Sequence, residues 1–142
     1  MTEPASMRGA IAAILMLLVC RSGVAAEPFP FDQELLLDAA PMRPGKRMPL
    51  LTVEPNGNAK IDLWCRSVPA RIEMSDTVMK IEAGPLPEGP PEIMSAGQCT
   101  DERMRADEEL VAALSQITGW RRDDEGIVLE GPKVLRFRPS DH

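Results

Sequence analysis

The sequence predicts an α+β domain in which an antiparallel β-meander is packed by one long helix at about residues 100–118. The helix is predicted by an apolar stripe at helical spacing, formed by Ala106, Leu110, Ala113, Leu114 and Ile117. The meander is predicted by two pairs of short apolar segments, at residues 48–65 and 70–81, each joined by turn residues. An amphipathic helix must cover an apolar surface, and the sheet supplies that surface.

The first 26 residues have the composition of an export signal. Arg8 precedes an apolar run at residues 10–19, and three small residues at 24–26 form a cleavage site before Glu27. The run is shorter than the roughly 20 apolar residues that cross a bilayer, so we expect no stable membrane insertion after cleavage. The sequence therefore predicts a periplasmic protein with one domain, residues 27–142.

Two details of the leader stay open. Translation starts at either Met1 or Met7, since both precede Arg8. Cys20 would become a lipid-anchored N-terminus if the leader were a lipoprotein signal, but Val19 stands where such signals carry a small residue. Cleavage after Ala26 is the prediction, and lipidation at Cys20 is the alternative.

The mature chain is acidic. Without the leader, 14 basic and 21 acidic residues remain, for a net charge of −7. This charge disfavours binding to nucleic acid and to anionic membrane surfaces. We interpret it as the charge of a soluble surface.

The strands are predicted in order along the mature chain. Prolines 28 and 30 make residues 27–31 an extended lead-in that Phe29 or Phe31 pins to the domain. Residues 34–40 form a first strand, residues 48–54 a second, and residues 60–65 a third, which returns through the turn at Asn56-Gly57. Alternation in the third strand places Ile61, Leu63 and Cys65 on one face and Trp64 on the other.

The later elements follow the same logic. Residues 70–74 and 78–81 pair through a turn at Ser75-Asp76, and residues 84–91 form a proline-rich loop. Thr100 is the predicted N-cap of the helix, and Gly119 its left-handed C-terminal stop. Two short strands flank residues 123–126, and the chain ends in a strand at residues 134–138.

Cys65 and Cys99 remain after the leader is removed, and we predict that they form a disulfide. Paired cysteines are usual in exported proteins. A loop of about 35 residues closed in this way stabilises a fold by about 3–4 kcal/mol in the chain-entropy model. Two buried free thiols are the alternative.

Little in the sequence indicates catalysis, so we predict no enzymatic activity, no cofactor and no metal. The single histidine, His142, is the last residue, which removes histidine-based triads and metal sites. A carboxylate pair could perform acid–base chemistry, but the helix carboxylates have the pattern of a solvent face. These are Asp101, Glu102, Asp107, Glu108 and Glu109.

Three further features suggest ligands. The loop at residues 41–47 carries Arg43, Lys46 and Arg47, which could hold an anion or simply be solvated. Met74 and Met79 flank a turn, and thioethers bind Cu(I), although methionine also fills gaps in cores. Trp64 and Trp120 could line an apolar pocket or close the edges of the core.

The segment 99–138 resembles the C-terminal half of the META-domain family of HslJ-like heat-shock and envelope proteins. A cysteine followed by a helix, then strands ending in Leu-x-Phe, is the family order. The matching motifs are Cys99-Thr100-Asp101-Glu102-Arg103-Met104, Leu110 to Leu114, Trp120-Arg121-Arg122, Val128-Leu129-Glu130-Gly131-Pro132 and Leu135-Arg136-Phe137-Arg138. Trp64-Cys65-Arg66 replaces the family's Gly-Cys-Asn, and residues 34–40 lack its tryptophan motif. The resemblance implies a small, partly open antiparallel barrel packed by one helix, in a non-enzymatic envelope protein linked with stress tolerance.

Three functions remain open on the sequence. The first is a non-enzymatic envelope domain that supports stress tolerance by binding an envelope protein through its surface. The second is a carrier or sensor that holds a small apolar ligand inside the barrel, which requires an empty cavity. The third is an inhibitor of a cell-wall-lytic enzyme, acting through the loop at residues 85–91.

Overall fold

The computed structural model describes residues 28–43, 45–91 and 97–140. The leader at residues 1–26, with its cleavage site and Cys20, lies outside the described residues. The elements follow in the order β1 (Leu35–Leu37), β2 (Leu50–Val53), β3 (Asn58–Asp62), β4 (Ser67–Ser75), β5 (Val78–Ala83), α1 (Asp101–Ser115), β6 (Gly119–Arg122), β7 (Ile127–Glu130) and β8 (Leu135–Pro139).

The eight strands form a closed antiparallel barrel in chain order. Closure comes from β1, which pairs with β2 on one side and with β8 on the other, where Leu36 lies opposite Arg138. The predicted α+β class and meander order are confirmed. The prediction of a partly open barrel is wrong, because the first and last strands hydrogen-bond and leave no edge between them.

Strands β5 and β6 have the shortest pairing between neighbouring strands of the barrel. Val78 and Gly119 form its register pair, supported by hydrogen bonds from Met79 N to Thr118 O (3.0 Å) and from Trp120 N to Thr77 O (2.9 Å). Helix α1 is inserted between these two strands in the chain and packs beside β5. The helix therefore supports the wall where strand pairing is shortest.

The barrel interior is filled by side chains. Alternate residues of the strands point inward and are buried, as the two-residue period of a strand requires. An eight-stranded barrel is just wide enough for such side chains to fill it. The helix adds Leu110, Ala113 and Leu114 to the same core cluster, and Ile117 joins the cluster just after the helix ends.

The helix begins as predicted and ends earlier. Thr100 is the N-cap, and its side chain accepts a hydrogen bond from Arg103 N at 3.2 Å. The helix ends at Ser115, where Gln116 N donates to Ala113 O and closes the last turn without a left-handed residue. The prediction that Gly119 stops the helix is wrong, since Gly119 opens β6.

Strand bounds differ from the predictions in both directions: β4 and β5 are longer than predicted, and the strands before them are shorter. The first strand has three residues, Leu35–Leu37, and the third ends at Asp62. Trp64 and Cys65 therefore lie in a bend between β3 and β4, so their predicted placement on opposite strand faces is wrong. Both side chains are buried, because the bend turns under α1.

The hairpin predictions are confirmed. Gly57 adopts φ +95° in the turn between β2 and β3, as the Asn-Gly signal indicates. Ser75 pairs with Val78, so the second turn consists of Asp76 and Thr77, one residue later than predicted. Asp76 takes a left-handed φ of 54°, which aspartate tolerates better than most residues.

Candidate functional site

The predicted disulfide is present between Cys65 and Cys99, with the two Cα atoms 5.5 Å apart. Cys65 is fully buried in the bend after β3, and Cys99 directly precedes the N-cap of α1. The bond therefore fixes the start of the helix to one end of the barrel. It closes a segment of 34 residues that includes β4 and β5.

A buried ion pair lies beside the disulfide. Asp107 Oδ1 accepts from Cys65 N at 3.0 Å, and Asp107 Oδ2 accepts from Arg66 N at 2.9 Å and Arg66 Nε at 3.0 Å. Asp107 is fully buried, so its predicted place on the solvent face of the helix is wrong. The carboxylate holds two successive backbone N–H groups of a bend that has no ladder partners for them. The other four helix carboxylates are exposed, as predicted.

Arg66 connects three parts of the chain. Besides the Asp107 carboxylate, its guanidinium donates to Pro87 O at 2.6 Å and to Met104 O at 2.7 Å. The proline-rich loop after β5 and the first turn of α1 are thereby attached to the same side chain. This residue stands in the Trp64-Cys65-Arg66 motif, and its role as a buried connector was missed by sequence reasoning.

Arg103 is a second buried arginine, one helical turn before Asp107. Its Nη1 donates to Gln98 O at 2.7 Å, and its side chain is 1% exposed. Within residues 28–43, 45–91 and 97–140, no acceptor lies within hydrogen-bonding distance of its Nε or Nη2. The apolar stripe gave no indication that this charged residue faces inward.

An open cleft lies between α1 and the β1–β8 part of the barrel, and we call it the helix cleft. It encloses about 520 Å³. Its apolar lining includes Leu37, Trp64, Leu110 and Leu135, four residues that are also part of the core. Val134, 54% exposed, adds an apolar side chain on the β8 side. Of the two predicted pocket tryptophans, Trp64 belongs to this cleft.

Charged groups surround the apolar lining of the helix cleft. Glu102, Arg105 and Glu109 project from α1, and Lys133 precedes β8. None of the four side chains forms a hydrogen bond or ion pair with another described residue. The cleft thus combines an apolar floor with both signs of available charge.

Trp120 lines a different, larger cleft of about 1010 Å³. The indole packs edge-on against Phe29, with ring centroids 5.3 Å apart, and its Nε1 donates to Asp76 O at 2.9 Å. The lead-in is therefore pinned by Phe29, as predicted. The two tryptophans do not share a pocket.

Polar groups beside Trp120 mostly have their hydrogen-bond partners within the protein. Asp123 Oδ1 accepts from the Glu125 and Gly126 N–H groups, and Oδ2 pairs with Arg136 at 2.9 Å. The Glu125 N–H bond is the main cause that holds the pKa of Asp123 below its ordinary value of 3.8. This carboxylate therefore organises the β6–β7 turn.

The other candidate groups from the sequence are placed as follows. Met74 and Met79 are cross-strand partners that pack into or against the core, so they can face one another as expected. In the basic loop, Arg47 Nε donates to Leu63 O at 3.0 Å, which commits that side chain to the bend. Among the described residues, no three His, Cys, Asp or Glu side chains are grouped closely enough to hold a metal ion.

The fold and site define a class: a small closed antiparallel β-barrel with an inserted helix that an internal disulfide and a buried ion pair attach to the barrel end. No family model, no curated protein and no solved structure matches the chain. In the described part of the chain, no helix has both the length and the apolar composition needed to cross a membrane.

Proposed function

We propose that this chain is a non-enzymatic, exported envelope domain of the META/HslJ-like kind, which supports stress tolerance by binding a small amphipathic ligand in the helix cleft. The observation that carries the proposal is the convergence of Leu37, Trp64, Leu110 and Leu135 on one open cleft. Its volume of about 520 Å³ is within the range of about 300–1000 Å³ that is usual for ligand pockets.

The walls of the helix cleft are well positioned for recognition. The disulfide and the Asp107–Arg66 pair fix α1 to the bend that carries Trp64, so the two sides of the cleft cannot separate freely. Preorganised walls lower the ordering cost of binding. An apolar ligand body would contact the floor, while a charged end would meet Arg105 or Glu109 at the rim.

Export and family membership are parts of the same proposal. An internal disulfide is usual in oxidising compartments and supports export. The order Cys99, α1, and then β6 to β8 with Leu135 and Phe137 is compatible with the META-domain resemblance. Intact mass measurement of protein purified from the periplasm tests the leader, since Glu27 is the expected N-terminus and an acyl group on Cys20 would contradict cleavage after Ala26.

The binding proposal is tested with two matched variants. Val134 and Val78 are both exposed valines, at 54% and 59%, but only Val134 lines the helix cleft. The probe is the fluorescent amphiphile 1-anilinonaphthalene-8-sulfonate. Val134→Glu should weaken binding of the probe about tenfold or more by placing a carboxylate in the apolar cleft, whereas Val78→Glu should not. Equal binding by the wild type and both variants would refute the helix cleft as the site.

The carrier hypothesis changes in one respect. The inward side chains of the barrel form one continuous core cluster, so a ligand inside the barrel would have to displace them. We therefore propose the cleft rather than the barrel interior as the place where a small apolar ligand binds. Native mass spectrometry of the periplasmic protein would detect a co-purifying ligand and give its mass.

One observation favours the inhibitor as a second candidate. Arg66 Nη1 donates to Pro87 O at 2.6 Å, which anchors the middle of the proline-rich loop while Glu88 and Gly89 remain exposed. A rigid exposed loop is what a lytic enzyme's active site would require of an inhibitor. Inhibition of a peptidoglycan hydrolase by the wild type, lost in Glu88→Arg, would support this function, and no inhibition by the wild type would remove it.

A further inference from the structure

The barrel end that holds Trp120 has a step between two neighbouring hairpins. The turn between β4 and β5 lies beside the first residues of β6, where Val78 pairs with Gly119. The β6–β7 hairpin continues past this turn to residues 123–126. The space beside the shorter hairpin is the cleft of about 1010 Å³, which we call the Trp120 cleft. Its lining includes Pro28, Asp76, Trp120, Arg122, Asp124 and Glu125.

Trp120 is held firmly at this cleft. Its backbone N donates to Thr77 O at 2.9 Å, and its indole Nε1 donates to Asp76 O at 2.9 Å, so both parts of the residue are attached to one turn. The indole also packs edge-on against the buried Phe29. The half-buried ring is therefore a fixed aromatic surface, and a ligand that contacts it pays little for ordering the side chain.

Two of the charged side chains around the Trp120 cleft have partners of opposite charge within the protein. Asp123 Oδ2 pairs with Arg136 Nη1 at 2.9 Å. Arg121 Nε pairs with Glu130 Oε2 at 3.1 Å. Because each pair is neutral as a whole, neither contributes to the net charge of the cleft.

Three carboxylates of the lining have no such partner. Asp76, Asp124 and Glu125 are exposed, and within the described parts of the chain their carboxylates form no hydrogen bond or ion pair. The other cation of the lining, Arg122, donates to Pro28 O at 2.7 Å. Three carboxylates against one guanidinium give the cleft a negative potential, which attracts cations.

Negative charge alone would not select one kind of ligand. An exposed ion pair contributes little, because water and salt screen it. An aromatic ring attracts a cation independently, through its quadrupole, and tryptophan does so best. The Trp120 cleft has both features in one cavity, so it fits a ligand that is cationic and can lie against an indole.

A guanidinium meets both requirements better than an ammonium does. It is planar, stacks on aromatic faces and is more weakly hydrated. It also binds a carboxylate through two parallel hydrogen bonds. The cleft volume of about 1010 Å³ is at the upper end of the range for small-molecule pockets, which leaves room for a segment of chain that carries the group.

We propose that the Trp120 cleft is a docking site for an arginine-rich segment of a partner protein. One guanidinium of the segment stacks on the indole of Trp120, and neighbouring arginines pair with Asp76, Asp124 and Glu125. The Trp120 cleft shares no lining residue with the helix cleft and does not depend on the function proposed for that cleft.

The test uses the disulfide-bonded mature chain and a triarginine peptide blocked at both ends, with the trilysine and tricitrulline peptides as references. The two tryptophans give separate indole N–H signals in a proton–nitrogen correlation spectrum, and Trp64, 6% exposed, is the internal control. Triarginine should shift the Trp120 signal saturably and leave the Trp64 signal in place. Trilysine should bind about threefold or more weakly, and the neutral tricitrulline should not bind. No shift with triarginine, or equal affinity for triarginine and trilysine, overturns the proposal.

Two double variants locate the carboxylates, with affinity measured by titration calorimetry. Asp124→Asn with Glu125→Gln removes two carboxylates of the cleft, whereas Glu54→Gln with Glu73→Gln removes two exposed carboxylates that do not line it. The first should weaken triarginine binding about fivefold or more, and the second by less than about twofold. Equal weakening in both would show a general attraction between an acidic protein and a cation, and would refute the site.

Two variants of Trp120 test the aromatic ring. Trp120→Leu removes the ring and keeps every charge, so it should weaken triarginine binding about fivefold or more. Trp120→Phe keeps a smaller ring, so it should weaken binding less, and the indole signal missing from its spectrum identifies Trp120. Unchanged affinity in Trp120→Leu would refute stacking on the indole. If Trp120→Leu does not fold, the two double variants decide the proposal, because exposed carboxylates can be replaced without loss of packing.

Discussion

Asp107 on α1 and Arg66 in the bend after β3 form a fully buried ion pair, with Asp107 Oδ2 2.9 Å from Arg66 N and 3.0 Å from Arg66 Nε. The two residues are 41 positions apart in the chain. Their contact fixes the register of the helix against the end of the barrel. The helix cleft and the buried arginine Arg103 both depend on that register.

Loss of the Asp107 charge should be strongly destabilising. Asp107→Asn leaves Arg66 without a buried counter-ion, and removing one partner of a buried pair costs about 3–5 kcal/mol. Urea unfolding followed by tryptophan fluorescence measures the change. Glu108→Gln is the control, because Glu108 is exposed and should matter by no more than about 1 kcal/mol. Similar losses of unfolding free energy in both variants would contradict the prediction that the buried Asp107 stabilises the fold more than the exposed Glu108 does.

The disulfide should account for a large share of stability. Replacing both Cys65 and Cys99 by serine should lower the free energy of unfolding by about 3–4 kcal/mol, since the bond restricts a 34-residue loop in the unfolded chain. The measurement is urea unfolding with and without reductant. Reductant should destabilise the wild type and leave the double variant unchanged. Two freely alkylated thiols in the oxidised, denatured wild type would show that the bond is absent.

Gly57 should not accept a side chain. Its φ of +95° is unfavourable for other residues, and a Cβ would lie 2.7 Å from Ile72 O. Gly57→Ala should therefore destabilise the domain by more than about 1 kcal/mol. Gly89→Ala is the matched control, because among the described residues, its own chain neighbours aside, no atom lies within 4 Å of its Cβ position. Thermal unfolding of the two variants should separate them clearly, and a Gly57→Ala variant as stable as the wild type would contradict the turn geometry.

Asp123 should make stability depend on pH in the acid range. Its folded-state pKa lies below the ordinary 3.8, chiefly because of the Glu125 N–H hydrogen bond. A lowered pKa means that the stabilising contribution is present above 3.8 and is lost as the pH falls through the folded-state pKa. The difference in Tm between the wild type and Asp123→Asn should thus shrink between about pH 6 and about pH 3. A Tm difference between the two proteins that grows on acidification would contradict the lowered pKa of Asp123.

Much of the fold could be predicted from local signals in the sequence. Thr100 as N-cap, the Asn56-Gly57 turn and the pairing of residues 70–74 with 78–81 are each set by neighbours in the chain, and the structure contains all three. The predicted end of the helix was wrong. Gly119 has the sequence position of a helix stop, but it lies at the start of β6, where the backbone of Thr77 is close to it. A Cβ on Gly119 would lie 3.0 Å from Thr77 O.

The sequence by itself determined the meander, the start of the helix and the two cysteines available for a disulfide, because these follow from short-range geometry and composition. Only the tertiary structure decided that β1 meets β8, that Asp107 and Arg103 face inward and that Trp64 borders a cleft. The physical reason is distance along the chain. A charge on a helix is solvated or buried according to what packs against it, and here that partner is a bend contributed by residues about 40 positions earlier.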